Sequence, residues 1–326
     1  MRAFYPLAAS EVESGRPTCV GRCALHRRGT SATWDCMVDI PPKPWPTGTS
    51  EQLEPLVRRV LAPNPSPYTY TGTQTYLVGA GKDLAVIDPG PDEEAHLAAL
   101  VDAIGERNVV AIMCTHTHRD HSPASIPLKA RTGAPIIGCA PLALDSDGPR
   151  ADAPFDASYV PDRVLEDGER VSGDGWTLTA LATPGHTSNH LCFALEESDA
   201  LFTGDHVMGW STSVVVPPDG DMRDYMESLD TLYRREDRIY YPAHGPAVER
   251  PRQLVRGMIG HRRQRERQIL KLLDREPHEI ADMVPQMYKG LDPRLVGAAG
   301  KSVEAHLIDL ERRGEVARSD DVWRTM

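Results

Sequence analysis

No apolar stretch in these 326 residues approaches the ~20 that a membrane-spanning helix needs. The first ten residues, Met1 to Ser10, are too short and too broken for the hydrophobic region of a secretory leader. Arg16, Arg22, Arg27 and Arg28 resemble a mitochondrial transit sequence, but Glu11 and Glu13 oppose that reading. No repeat or low-complexity tract occurs, and no paired short-spaced cysteine motif completes a metal site around Cys19, Cys23 and Cys36. The remaining cysteines, Cys114, Cys139 and Cys192, sit in apolar runs, so all six read as reduced thiols of a cytoplasmic protein. Positive charge is in deficit. A net charge of −11 argues against nucleic acid binding over the whole surface, though not against a local basic patch.

The chain is long enough for two domains, and its 28 prolines and 26 glycines imply many loops. Residues 1–36 lack periodicity and read as a disordered extension, with Met37, ahead of a proline-rich lead, a candidate start. Short β-branched runs closed by Gly and Pro predict strands at 57–61, 75–79, 84–90, 109–114, 135–138, 176–183, 191–194, 200–203 and 240–242, with another at Val171. Helical spacing predicts helices over 93–104, 126–131 and 222–233. This is α/β (α+β) grammar, two sheets covered by helices. From residue 251 the grammar changes to helices over 251–273, 279–287 and 293–313. Gly314 stops the last of them, and a hairpin of 315–318 and 322–324 follows. Three helices and a hairpin are the winged-helix pattern.

Seven residues dominate the chemistry: His116, His118, Asp120, His121, His186, Asp205 and His244. His116 and His118 stand two apart at a strand end, so extended backbone aims both imidazoles the same way. Asp120 and His121 follow as the chain turns toward a helix. His186 sits in a turn where Gly185 is expected to let the backbone approach a ligand. Asp205 and His244 each end a further strand. A lone histidine is usually structural, but five with two aspartates at strand ends read as the ligands of two metal ions. Zinc suits this donor set, two ions per chain, with iron or manganese as alternatives. Two ions ~3.5–4 Å apart would share a bridging hydroxide as nucleophile. Asp120 is the candidate catalytic residue, orienting that hydroxide. His190 is a second candidate, as proton donor or substrate ligand, with a structural hydrogen bond as the alternative.

The His-x-His-x-Asp-His cluster, with the later Gly-His, Gly-Asp and Ala-His-Gly, resembles the metallo-β-lactamase fold hydrolases. The resemblance implies a four-layer αβ/βα sandwich over residues 37–250, with a small winged-helix domain at 251–326. It implies one metal on His116, His118 and His186, a second on Asp120, His121 and His244, and Asp205 bridging both. True β-lactamases of this fold usually lack an aspartate at that bridging position, so antibiotic hydrolysis is not expected. The text around Arg262, Arg263 and Arg265, with 305–316, resembles the lactamase-β-like-2 branch, which includes a single-strand-directed endoribonuclease.

Nine basic and two acidic residues between Arg250 and Arg275 form a local excess that would suit phosphate backbones. The loop 208–221 would instead shape a small-molecule pocket. The expected function is therefore metal-dependent hydrolysis of an ester, a thioester or a phosphodiester in single-stranded RNA. The alternatives are a hydroxyacylglutathione-hydrolase-like thioesterase and a non-catalytic nucleic-acid-binding or sensor protein with a vestigial metal site. No membrane partner is expected, and a homodimer is left open.

Overall fold

The computed structural model describes residues 45–142 and 155–326. The expectations for residues 1–36, for Met37 as a start, and for Cys19, Cys23 and Cys36 lie outside the described residues.

Seven strands lie side by side in chain order. They are β1 (Ser50–Glu54), β2 (Val57–Leu61), β3 (Gln74–Val78), β4 (Asp83–Ile87), β5 (Asn108–Cys114), β6 (Ile136–Gly138) and β7 (Arg163–Val164). Pairing is antiparallel from β1 to β4 and parallel from β4 to β7. Parallel neighbours need crossovers. Two of these are helical: α1 (Glu94–Ile104) joins β4 to β5, and α2 (Ser125–Thr132) joins β5 to β6. Both bury an apolar stripe on the sheet, through Leu97, Leu100 and Leu128.

The second sheet has five strands in the order β12-β11-β10-β9-β8. These are β8 (Arg170–Gly173), β9 (Trp176–Ala182), β10 (Leu191–Leu195), β11 (Ala200–Gly204) and β12 (Ile239–Pro242), with α3 (Met222–Arg234) joining the parallel pair β11 and β12. The period-2 alternation of side chains explains why this sheet has helices on one face and the first sheet on the other. In β10, Leu191, Phe193 and Leu195 join the core between the sheets, while Cys192 and Ala194 face the opposite way. Phe202 and Tyr241 repeat the inward pattern in β11 and β12, with Leu201 and Tyr240 outward. Each large apolar side chain so buried contributes roughly 1.5–3 kcal/mol. On the outer face lies α3, whose Met222, Tyr225, Leu229 and Leu232 recur at helical spacing; its N-terminus is capped by Asp221, which accepts from Arg223 N and Asp224 N. The result is the four-layer αβ/βα sandwich.

The helix α4 (Pro251–Leu273) starts on a proline, which the first turn tolerates. At 23 residues it is about 35 Å long. Its first half packs Leu254, Val255, Met258 and Ile259 against the outer face of the second sheet. Its last turns place Ile269 and Leu273 in a separate core with α5 (Ile280–Met287) and α6 (Val296–Arg312). That core is closed by Trp323 from a small sheet of β13 (His278–Glu279), β14 (Val316–Ser319) and β15 (Val322–Thr325), in the order β13-β15-β14. Three helices and a hairpin thus make the winged-helix arrangement.

Two expectations change. The single helix expected over 293–313 begins as a tight 3-10 turn at Pro293–Leu295, with the Asp292 carboxylate accepting from Arg294 N. Strands β1, β7 and β13 were not expected, because β1 exposes most of its residues and the other two have only two residues each. Cys114, Cys139 and Cys192 are buried free thiols. Among the described residues, no helix is long and apolar enough to cross a membrane.

Candidate metal centre

The strands converge so that their C-terminal ends deliver polar side chains to one point. His116, His118, Asp120 and His121 lie between β5 and α2, His186 between β9 and β10, Asp205 directly after β11, and His244 two residues after β12. The structure gathers all seven into two groups, His116, His118, His186 and Asp205 in one and Asp120, His121 and His244 in the other. Within each group the donor atoms lie within 4.8 Å of one another.

In the first group, His118 Nδ1 lies 3.0 Å from His116 Nε2 and 3.1 Å from His186 Nε2. Asp205 Oδ2 is 3.5 Å from His186 Nε2. In the second, Asp120 Oδ2 is 3.4 Å from His121 Nε2 and 3.2 Å from His244 Nε2. The other Asp205 oxygen, Oδ1, is 3.6 Å from His121 Nε2 and 3.2 Å from His244 Nε2. One carboxylate therefore offers an oxygen to each group.

Hydrogen bonds behind the ligands fix where the protons sit. Thr115 Oγ1 donates to Asp88 Oδ2 at 2.8 Å, so it must accept from His116 Nδ1 at 3.0 Å. His116 Nε2 is then a bare lone pair. His186 Nδ1 donates to the Val214 carbonyl at 2.7 Å, which turns its Nε2 toward His118 and Asp205. His121 Nδ1 donates to Asp88 Oδ2 at 3.0 Å, and His244 Nδ1 to the Gly72 carbonyl at 3.3 Å. The bare His116 Nε2 and the His186 Nε2 thus both crowd His118 Nδ1, which has at most one proton to offer. In the second group, buried His121 Nε2 and Asp205 Oδ1 have no hydrogen-bond partner among the described residues. Orphaned donor atoms backed by oriented partners fit metal ions, and the N/O set fits zinc.

Electrostatics divides the same groups. Burial, then the neighbouring imidazoles His121 and His118, holds His116 well below the ordinary range. Burial and His186 push His118 down to about 3. Burial would lower His121 and His244 too, but carboxylates overcome it: Asp120 and Asp205 hold His121 well above its usual value, and Asp205 with Asp120 raises His244 to about 9. Asp120 and Asp205 stay ionised well below the carboxylate range despite burial, held there by these imidazoles. A metal ion held by the second group would displace protons from His121 and His244.

His190 sits beside this centre but does not join either group. Its Nε2 accepts from the Asp205 backbone N–H at 3.2 Å, and its Nδ1 faces Thr183 Oγ1 at 2.9 Å. It is 1% exposed. Gly204 makes room for it, since a Cβ there would come within 2.7 Å of His190 Nε2 and 2.6 Å of Thr115 Oγ1. The role expected of Gly185 is corrected. Its φ of +133 and its missing Cβ admit not a ligand but the start of α3, because a Cβ would lie 2.3 Å from Tyr225 Cα. Sequence reasoning missed Asp88, whose signal was a carboxylate at the end of β4 ahead of Pro89 and Gly90, with φ +48.

A cavity of about 620 Å³ opens over the centre. Its floor holds His118, Asp120, His186, Asp205 and His244. The loop after β11 contributes Met208, Trp210, Val214 and Val216, and the C-terminal helices close it with Tyr288, Leu291, Leu295, Ala298 and Ala299. Asp120, with 21% of its side chain exposed, is the most open carboxylate of the floor. Of the basic excess between Arg250 and Arg275, Arg250, Arg252, Arg256, Arg263, Arg267, Lys271 and Arg275 are exposed, whereas Arg262 is buried and lines the cavity, and half-buried Arg265 donates to Met287 O at 2.7 Å.

Residues 68–244 match the Metallo-beta-lactamase superfamily, and residues 280–323 the Beta-lactamase associated winged helix domain. A Beta-lactamase-like protein 2 homolog of Caenorhabditis elegans is 34% identical over 240 residues, covering 72% of this chain and 76% of its own. An Atrochrysone carboxyl ACP thioesterase of Aspergillus fumigatus is 34% identical over 238 residues, covering 71% and 70%. The solved structure of a Beta-lactamase domain protein from Burkholderia ambifaria matches with a TM-score of 0.73 at 20% identity, over 90% of this chain and 98% of that one. That last likeness is one of fold.

Proposed function

Because this chain belongs to the metallo-beta-lactamase superfamily and is a hydrolase, we propose that it uses two metal ions, zinc by its donor set, to hydrolyse thioesters with a largely apolar acyl arm. The carrying observation is the cavity, whose floor is the His/Asp cluster and whose walls are mostly apolar. Pockets of this size and lining suit a small ligand held by apolar contact with a few polar groups. The thioesterase name of the Aspergillus relative supports the same class.

His116, His118 and His186 would hold one ion, Asp120, His121 and His244 the other, and Asp205 both. Bound there, the ions would activate water and polarise the scissile carbonyl. Asp120, open to the cavity, orients the attacking water. Thr73 Oγ1, 3.3 Å from Asp120 Oδ2, steadies that carboxylate. Water oxygen adds to the carbonyl carbon and the C–S bond breaks; of the two water protons one leaves on the thiol and the other passes to solvent, which leaves a carboxylate. The apolar walls hold the acyl arm and exclude bulk water from the floor. His190 keeps the Asp205 backbone in place.

The test is a panel of medium-chain acyl thioesters, matched oxygen esters and single-stranded RNA, with zinc-loaded wild type and Asp120→Ala. Thioester turnover that falls at least about a hundredfold in the variant is expected, since Asp120 both orients the attacking water and would hold the second ion. Multiple-turnover cleavage of RNA with none of thioesters would overturn the reading.

A further inference from the structure

A guanidinium buried without a carboxylate is costly, and this fold contains one at the cavity wall. Arg262, on α4, is 3% exposed and lines the cavity. Its Nη2 donates to the Ser213 carbonyl, and its guanidinium carbon lies 5.1 Å from the centroid of the Tyr225 ring. Its Nε has no acceptor among the described residues, and no carboxylate there pairs with it. Elsewhere the fold supplies such partners. Arg235 meets both oxygens of Asp237, Arg312 meets Asp221, and Arg313 meets Glu266. A buried cation left with one neutral carbonyl and a ring face recovers only part of its desolvation cost.

Burial, then Arg262, pushes His261 and His306 down to about 3, so both rings are neutral beside the guanidinium. Arg265 Nε donates to His261 Nε2 at 3.2 Å, which adds a second guanidinium beside the same wall. The position is also tied to the metal centre. Arg262 grips the Ser213 carbonyl, and the next carbonyl, of Val214, accepts from the ligand His186. The guanidinium and the ligand cluster therefore hold a fixed relation across one peptide unit of a single loop.

We propose that Arg262 is an anion subsite, taking a carboxylate or phosphate that the substrate carries away from its scissile carbonyl. The proposal rests on the thioester reading for its substrate class and deepens it: the preferred substrate is an acidic thioester. A guanidinium binds either oxyanion through charge-assisted N–H donation, and the low-polarity wall strengthens that bond. The anion can sit at the far end of the acyl arm or on the thiol half.

Four thioesters distinguish these sources with zinc-loaded wild type. Hexanoyl and adipoyl thioesters of N-acetylcysteamine differ by a carboxylate on the acyl end. Hexanoyl pantetheine and hexanoyl phosphopantetheine differ by a phosphate on the thiol end. One anionic member should show a KM at least about tenfold below its neutral partner, as a charged hydrogen bond implies. Arg262→Gln should erase that difference, and Arg262→Lys restore part of it.

Equal KM values within both pairs in wild type would overturn the proposal. So would a variant that slows neutral and anionic members alike, since Arg262 would then only brace Ser213. Should Arg262→Gln fail to fold, the wild-type pairs and the loss of their difference at high salt decide. If wild type turns over no thioester, the thioester reading fails by itself, and calorimetry of adipate against hexanoate then tests the subsite. Tighter binding of adipate than hexanoate by wild type but not by Arg262→Gln supports it, and equal binding or none overturns it.

Discussion

Asp88 Oδ2 accepts from His121 Nδ1 at 3.0 Å, and the same carboxylate binds the Thr115 backbone N–H and hydroxyl at 2.8 Å each. One buried side chain thus orients a ligand of the second group directly and His116 of the first through Thr115. In Asp88→Asn an amide nitrogen must face at least one of these donors, whichever way it flips. Loss of an oriented partner behind a ligand typically costs about 10–100-fold in metal affinity. Competition with a zinc chelator should show that loss in the weaker site of the variant. An unchanged zinc titration would reduce Asp88 to a packing residue.

The two aspartates of the floor should separate when removed. Asp120 faces only the second group, through His121 and His244, whereas Asp205 gives one oxygen to each. Asp120→Ala should therefore leave the first group loaded and empty the second, and Asp205→Ala should weaken both. Elemental analysis after dialysis against buffered zinc reads this as about one ion per chain for Asp120→Ala and fewer for Asp205→Ala. Equal stoichiometry in the two variants would contradict the bridging assignment.

His190 should behave as a positioning residue, because both of its nitrogens are engaged inside the fold. Replacement by Ala leaves the Asp205 N–H and the Thr183 hydroxyl short of a buried partner, at a cost of about 1–3 kcal/mol. Denaturant melts should show that loss, with zinc affinity reduced. The pH–rate profile should keep both limbs, with kcat lowered uniformly across it. Disappearance of one limb would instead make His190 a proton donor in the reaction.

The His/Asp cluster and the sandwich were legible because both rest on local rules. His116 and His118 are two apart on extended backbone, and Leu191, Phe193 and Leu195 alternate with Cys192 and Ala194. Arg262 was not legible as an interior residue, since the neighbouring exposed Arg263 and half-buried Arg265 make the same sequence signal. Only the packing of α4 across two cores, and the loop carrying Ser213, turn that residue inward. Gly185 shows the same limit. The sequence signals a close approach, but which backbone approaches is set by α3, far along the chain. Asp88 was hidden for a different reason: an aspartate before Pro-Gly reads as a turn, and its partners lie 27 and 33 residues on.

His306 makes stability depend on pH away from the metal centre. It is 2% exposed on α6, and neither ring nitrogen has a hydrogen-bond partner among the described residues. Burial, then Arg262, His261 and Arg265 of α4 and Arg313 beyond α6, lowers its pKa to about 3. The folded chain therefore holds a neutral ring where the unfolded chain titrates near its ordinary value of 6.5. That contribution is intact above the unfolded value and is lost as pH falls from there toward about 3. At pH 5 the loss amounts to roughly 2 kcal/mol. His306→Leu removes the titrating group and two unpartnered buried nitrogens at similar volume, so it should be at least as stable as wild type at pH 7.5. Urea melts of both proteins in the same metal state, at pH 7.5 and 5.0, cancel the titration of the ligands. The stability of the variant relative to wild type should rise by about 2 kcal/mol between the two conditions. A gap that stays constant would mean that His306 finds a proton acceptor in solution.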